Sequence, residues 1–201
     1  MTKRLIFILL ILQGCATAFD DIFLIAKNQV LGYPNQEITE EFFAQAEFSF
    51  MTLKVGRNPK VKLTLNSIND GLYEWVSEDL NSIFTYNGLI VRSSGLPNNI
   101  YLRNFESFMP SATTHVSSIL EFDRPLLAGV VAKFTLIDSH RVKGNAIYQN
   151  LTSFQFNRMV DSIGWKSEDT YWVNDDNLVV YSLQEVHPHM KAIELEYFYK
   201  F

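Results

Sequence analysis

The chain has 201 residues, and its hydrophobic fraction of 47% with 14% aromatic residues excludes an intrinsically disordered protein. Its formal net charge of −5 argues against a nucleic-acid-binding protein. The length suffices for one well-packed domain, and 16 Phe and 9 Tyr favour strands over helices.

The chain begins with the pattern of a secretory signal. Lys3 and Arg4 precede the apolar run 5–12, which is too short for a transmembrane helix because a span needs about 20 apolar residues. The following LQGC, residues 12–15, is similar to the bacterial lipobox, in which the cysteine is acylated and becomes the new N-terminus. The ATA sequence at 16–18 offers a second cleavage site, which would release a soluble periplasmic protein.

Cysteine usage favours the lipobox. Cys15 is the only cysteine, so it cannot form an internal disulfide, and a free thiol is a liability in an oxidising compartment. We therefore predict a lipoprotein signal peptide at 1–14, a lipid anchor at Cys15 and a single β-rich domain at 15–201.

One short helix is predicted at 20–30, where Asp20 and Asp21 suit a helix N-terminus. Alternation with period two dominates the rest of the chain. Candidate strands lie at about 48–55, 61–65, 73–77, 83–86, 89–91, 114–123, 129–138, 144–158, 169–174, 178–186 and 192–200. The segment 95–111 is predicted to be a long irregular connection. The pattern predicts a mainly β fold, either an antiparallel β-sandwich or an open barrel, with one short N-terminal helix.

Three turns are marked by their residue types. Gly56-Arg57-Asn58-Pro59 separates the first two strands. Asn87-Gly88 predicts a type I′ hairpin, because these residues tolerate positive φ. Asp175-Asp176 predicts another hairpin turn.

A cluster of cations surrounds the first of these turns. It consists of Lys54, Arg57, Lys60 and Lys62. Such a cluster could contact an anionic glycan or a lipid phosphate. The alternative is an ordinary charged hairpin that protects a sheet edge.

Two further patterns are candidates for chemical sites. His187-Pro188-His189 could begin a metal site, but no local spacing supplies a third ligand, so neither a metal nor a cofactor is predicted. Paired carboxylates could serve a glycosidase, although these pairs are more typical of turns and solvated strand faces. The pairs are Glu78-Asp79, Glu168-Asp169, Asp175-Asp176 and Glu194 with Glu196.

Two blocks carry a family resemblance, YEWVSEDLNSIFTYNGLIVRSSGL at 73–96 and YWVNDDNLVVYSLQEVHP at 171–188. Together with the lipobox they resemble the YjbF/GfcB family of bacterial lipoproteins, which is associated with exopolysaccharide and capsule loci. The residues that carry the resemblance are Trp75, Ser77, Asp79, Gly88, the run 92–96, the run 171–173, Ser182, Gln184 and Pro188.

The resemblance implies an outer-membrane lipoprotein that faces the periplasm and assists capsule or exopolysaccharide production and export without being an enzyme. Ala16 after the cysteine, where inner-membrane lipoproteins typically have Asp, agrees with the outer membrane. Partners would be polysaccharide-export proteins or the polysaccharide itself, and no nucleic acid. The alternatives are a periplasmic polysaccharide hydrolase or lyase, and a glycolipid-binding carrier.

The second block also suggests a polar group inside the fold. Ser182 and Gln184 share one face of a strand that is otherwise rich in Val, Tyr and Leu. If they are buried they need hydrogen-bond partners, and Arg92 is a candidate. This set is expected to be either a core network or the floor of a binding site.

Overall fold

The computed structural model describes residues 38–200. Residues 38–56 and 60–200 belong to one compact unit, and among the described residues only 57–59 fall outside it. Cys15, the signal peptide and the helix predicted at 20–30 lie outside the described residues.

One short helix and twelve strands make up the described chain. Helix α1 spans Glu40–Gln45, and the Thr39 hydroxyl caps it by accepting the Phe42 N–H at 3.2 Å. The strands are β1 Phe50–Val55, β2 Val61–Asn69, β3 Leu72–Val76, β4 Ser82–Tyr86, β5 Leu89–Ser94, β6 Ile100–Arg103, β7 His115–Asp123, β8 Leu126–Lys143, β9 Asn150–Val160, β10 Trp165–Asn174, β11 Val179–Gln184 and β12 Ile193–Phe198. A 3₁₀ turn at Asp161–Ile163 joins β9 to β10. No helix within 38–200 is long and apolar enough to span a membrane.

The strands form one closed antiparallel barrel in chain order. Closure is made by β1 and β12, which pair from Phe50↔Phe198 to Val55↔Ile193. The prediction of a mainly β fold is therefore confirmed, the sandwich is wrong, and the barrel is closed rather than open. Alternation marks one buried face on each strand, but it does not say whether those faces meet between two sheets or inside one closed sheet.

The hairpin turns predicted at Asn87-Gly88 and Asp175-Asp176 are confirmed. Asn87 and Gly88 have φ of 46° and 79° and connect β4 to β5. The predicted Asp175-Asp176 turn joins β10 to β11. The prediction for 95–111 is wrong in part, because β6 lies inside it. This strand has four residues, too few to show a clear alternation.

The irregular segment after β6 places one phenylalanine ring in the core of the barrel. Phe108 is fully buried, and its ring packs against Phe134, Phe156 and Tyr171 with centroid distances of 5.8, 5.3 and 5.2 Å. Buried aromatic rings bring large apolar surface to a core, so this connection is part of the packed interior.

Strand β5 is weakly paired on one side. Its ladder with β6 has a single register pair, Arg92↔Tyr101. The first half of β5 therefore needs other partners for its backbone groups, because an unpaired buried peptide group costs free energy.

The Gln184 side chain supplies those partners from across the barrel. Its Nε2 donates to the Gly88 carbonyl at 2.7 Å and to the Ser182 hydroxyl at 2.9 Å. Its Oε1 accepts the Ile90 N–H at 3.0 Å and the Tyr171 hydroxyl at 3.3 Å. All four hydrogen-bonding positions of the amide are thus used.

Gly88 fits this arrangement by its size as well as its φ. A Cβ placed on it would lie 2.5 Å from the Val179 side chain. The β4–β5 turn therefore approaches β11 at a distance that only glycine allows.

A buried ion pair extends the polar interior. Arg158 Nη2 donates to Asp169 Oδ2 at 2.5 Å, and Oδ1 accepts the Glu185 N–H at 2.9 Å. The Arg158 guanidinium also lies 4.8 Å from the centre of the Phe134 ring. Burial raises the pKa of Asp169, and the Arg158 charge opposes that shift.

We expect Gln184→Met to destabilise the barrel strongly. The substitution preserves volume but leaves several buried groups without partners, at about 1–3 kcal/mol each, so we expect a total loss of about 3–5 kcal/mol. Urea denaturation followed by tryptophan fluorescence measures it, with an unchanged dependence on urea concentration.

The matched control is Gln155→Met. Gln155 is half-buried and donates to the exposed Glu168 at 2.9 Å, so its replacement should cost less than about 1 kcal/mol. Equal losses for the two variants would contradict the role given to the Gln184 amide.

Candidate functional site

The outer face of the barrel carries an aromatic groove across β10, β11 and β12. We call it the aromatic groove and define it by the side chains of Lys143, Asn145, Tyr148, Trp172, Tyr181 and Glu196. Its volume is about 350 Å³, within the size range of small-ligand sites.

Strand alternation places two of the aromatic rings on the outside. Tyr171 and Val173 are buried, so Trp172 between them points outward. Trp172 lies opposite Tyr181 in the β10–β11 ladder, and their rings are 4.8 Å apart in an edge-to-face arrangement. A β-bulge follows Trp172, and bulges bend a strand and redirect its side chains.

The β8–β9 connection forms the roof of the groove. The Asn145 side chain accepts the backbone N–H groups of Ile147 at 3.0 Å and Tyr148 at 2.8 Å, which tightens the turn. The Tyr148 hydroxyl donates to the Tyr197 carbonyl of β12 at 3.1 Å. The third aromatic ring is thus fixed against the same wall as the other two.

Lys143 is an exposed cation, and the other polar groups of the groove are neutral or already paired. Glu196 accepts a hydrogen bond from Lys60 Nζ at 3.0 Å. Burial first, and then the Glu194 carboxylate, raises the pKa of Tyr181, so its hydroxyl stays protonated. Burial also raises the pKa of Tyr148. The groove therefore offers aromatic faces, hydroxyls, an amide, the Lys143 ammonium group and a fixed carboxylate, a set suited to binding a polyhydroxylated ligand.

Sequence reasoning missed the groove. The signal was present in the alternation, since Trp172 and Tyr181 occupy positions whose chain neighbours are buried. Tyr148 lies in the groove because of the way the β8–β9 turn folds, and no sequence pattern indicates that position.

Of the predicted polar set, the structure brings two members together. Ser182 and Gln184 are hydrogen-bonded and fully buried. Arg92 does not join them, because Val91 and Ser93 take the inward positions and Arg92 points outward. Its guanidinium lies 5.3 Å from the Phe84 ring instead. The expectation that Arg92 partners these residues is therefore wrong.

The predicted cation cluster lies mainly along the seam where the barrel closes. Lys54 is 3.8 Å from Glu194 and Lys60 is 3.0 Å from Glu196. Lys62 Nζ lies over the Phe42 and Phe50 rings at 5.5 and 5.1 Å. Arg57 is in the turn after β1. Because β1 has neighbours on both sides, the cations do not protect a free edge there, and their contact with an anionic ligand stays a prediction.

His187 is a core residue. Its ring is 1% exposed and packs edge-to-face on Phe122 at 4.4 Å, and its Nδ1 accepts the His189 N–H at 3.1 Å. Burial lowers the pKa of His187. Within residues 38–200, no three His, Cys, Asp or Glu side chains are grouped to hold a metal ion.

The acidic pairs differ in their surroundings. Asp169 is buried against Arg158, whereas the adjacent Glu168 is exposed. Glu194 and Glu196 are half-buried and face the seam lysines.

A family model matches residues 25–198, which is nearly the whole chain; its description is group 4 capsule polysaccharide lipoprotein GfcB, YjbF. No curated protein matches the sequence.

One solved structure has the same fold. The crystal structure of the hypothetical lipoprotein YmcC from Escherichia coli K12 aligns with a TM-score of 0.71 at 16% identity, over 83% of this chain and 91% of that one. A lipoprotein candidate from Parabacteroides distasonis aligns with a TM-score of 0.35 at 8% identity, over 77% and 95% of the two chains, and carries no argument.

The family match over most of the chain agrees with the sequence blocks that suggested it, and it connects the chain with capsule polysaccharide production and with membrane-anchored lipoproteins. The chain belongs to the YjbF family of group 4 capsule polysaccharide lipoproteins.

Proposed function

We propose that this protein is a lipid-anchored accessory of capsule polysaccharide production, held at the periplasmic face of the outer membrane, and that it binds the polysaccharide in the aromatic groove. The observation that carries the proposal is the presence of three half-buried aromatic side chains, fixed by their contacts, on one outer wall of the barrel. Partner export proteins would act on the glycan while the barrel holds it.

The groove suits a sugar ring in two ways. The C–H faces of a pyranose are apolar and can lie on Trp172 and Tyr181, whose ring arrangement is fixed by the ladder. Its hydroxyls can exchange hydrogen bonds with the Asn145 amide and the Glu196 carboxylate at the groove edge. Few, well-placed polar groups on an apolar surface are typical of ligand sites.

The carboxylates support binding rather than cleavage. Hydrolysis of a glycosidic bond generally uses two carboxyl groups on opposite sides of that bond. Among the described residues that line the groove, Glu196 is the one carboxylate, and it is engaged by Lys60. A non-enzymatic role therefore fits the groove better than a hydrolase or lyase.

Anchoring would come from Cys15. A single acyl chain binds a membrane only marginally, at about 0.8 kcal/mol per buried CH₂, and two or more chains make attachment stable. The acylated N-terminal cysteine typical of lipoproteins carries several chains, so the domain would stay at the membrane where the polysaccharide emerges.

We expect Trp172→Ala and Tyr181→Ala each to weaken polysaccharide binding about 3- to 10-fold, because each removes one stacking face worth about 0.5–1.5 kcal/mol. Calorimetry with oligosaccharides from the cognate capsule measures the affinity. Tyr101→Ala is the control, since Tyr101 is 43% exposed on β6, away from the groove.

An affinity equal to that of the control in both groove variants would refute the assignment of the groove. Shortening of the oligosaccharide chains by the wild-type protein would refute the non-enzymatic role.

We expect Cys15→Ser to release the protein into the soluble periplasmic fraction without changing its urea denaturation midpoint. Thr17→Ser, two residues on, should stay in the outer-membrane fraction and serves as control. Cell fractionation measures both variants, and a Cys15→Ser protein that remains in the outer membrane would show that another segment anchors it.

A further inference from the structure

Among the described residues that line the aromatic groove, Lys143 is the one cation. It is the last residue of β8, it is exposed, and no ion pair in this part of the chain involves it. Its ladder partner Asn150 donates to Asp175 of the β10–β11 turn at 3.2 Å, so that carboxylate has a donor of its own. The Lys143 ammonium group is therefore available to a ligand.

The carboxylates around the groove are each offset by a lysine. Glu196 lies in the groove and accepts a hydrogen bond from Lys60 at 3.0 Å. Glu194, which accepts the hydroxyl of a groove tyrosine, lies 3.8 Å from Lys54. With both carboxylates balanced in this way, Lys143 leaves one net positive charge at the groove.

The Asn145 amide adds a second unused donor. Its Oδ1 accepts the backbone N–H groups of Ile147 at 3.0 Å and Tyr148 at 2.8 Å, so the oxygen is fully used. Its Nδ2 donates to no group in the described part of the chain, and Asn145 is exposed. The amide therefore presents its two N–H groups, and not its oxygen, to a ligand.

The turn fixes the backbone that carries both donors. Gly144 lies between them, its N–H donates to the Gln149 carbonyl at 2.9 Å, and a Cβ on Gly144 would overlap the Tyr148 carbonyl. An ammonium group and an amide N–H held one residue apart, both without acceptors, match a carboxylate, which has two oxygens and accepts only. Hydrogen bonds to a charged group are also stronger than those between neutral groups.

We propose that the aromatic groove selects an acidic sugar, with the carboxylate of a uronic acid residue bound by the Lys143 ammonium group and Asn145 Nδ2. The ring of the same residue would lie on Trp172 and Tyr181. The inference rests on the proposed function, because it names the class of sugar that the groove takes. One uncompensated charge matches a carboxylate better than a phosphate monoester, which carries about −1.5 to −2 charges at pH 7.

Oligosaccharides from the cognate capsule are the probe, used before and after carbodiimide and borohydride reduction. The reduction converts each uronic acid carboxylate to a primary alcohol and leaves the rest of the sugar unchanged. Calorimetry on the full chain carrying Cys15→Ser should show that the native form binds about 3- to 5-fold more tightly at low ionic strength. High salt should remove this preference, because salt screens exposed charges.

Two lysine variants test the charge at equal net charge of the protein. Lys143→Gln should bind the native and the reduced oligosaccharides equally. Lys166→Gln is the control, since Lys166 is exposed on β10 and six residues along the strand from Trp172, about 20 Å away. That distance exceeds the screening length of about 8–10 Å, so this variant should keep the preference.

Asn145→Asp tests the amide. The aspartate keeps an oxygen that can accept the two backbone N–H groups of the turn, but it replaces the free donor with a negatively charged oxygen. The native oligosaccharide should then bind more weakly than the reduced one, which reverses the preference. If this variant has a changed urea denaturation midpoint, Lys143→Glu takes its place with the same expected reversal.

Equal affinity of the wild-type chain for the two forms overturns this inference, and so does a preference that survives Lys143→Gln. Cognate oligosaccharides that contain no uronic acid and still need Trp172 for binding overturn it as well. Each of these results leaves the groove as a glycan site. Absence of binding by both forms would instead refute the proposed function, and this inference with it.

Discussion

The barrel depends on one side-chain amide, that of Gln184, which hydrogen-bonds backbone groups beside the short β5–β6 ladder. Where β5 lacks a regular ladder to β6, Gln184 provides two donors and two acceptors in the geometry of a peptide group. A peptide group left without partners in this interior would cost about as much as a tenth to a third of the stability of a typical domain. The Gln184 amide thus satisfies the backbone of the β4–β5 turn at the point where Gly88 lies close to Val179.

The aromatic groove arises where the barrel departs from a regular ladder. It lies beside the bulge after Trp172 and under the turn that ends β8. A regular twelve-stranded wall would present flat rows of side chains. Irregular pairing gives this wall its concave surface, and the Gln184 amide satisfies backbone groups of Gly88 and Ile90 inside the barrel.

The sequence predicted what local chemistry controls. The hairpin at Asn87-Gly88 follows from backbone preference, and β7 follows from alternation. Closure could not be predicted, because Phe50 and Phe198 pair across most of the chain and alternation carries no information on which strands become neighbours. Arg92 was assigned to the interior by residue type alone, although its neighbours Val91 and Ser93 already fixed its outward direction. The groove escaped prediction because its roof depends on a turn that reaches β12.

The position of the aromatic groove bears on how an accessory protein could work without catalysis. The groove is centred on β11, on the outer face of the closed barrel. A glycan held in the aromatic groove would lie on the outside of the barrel. In this arrangement the rigidity of the closed barrel, set by the β1–β12 seam and the Gln184 amide, fixes the direction in which the glycan is presented.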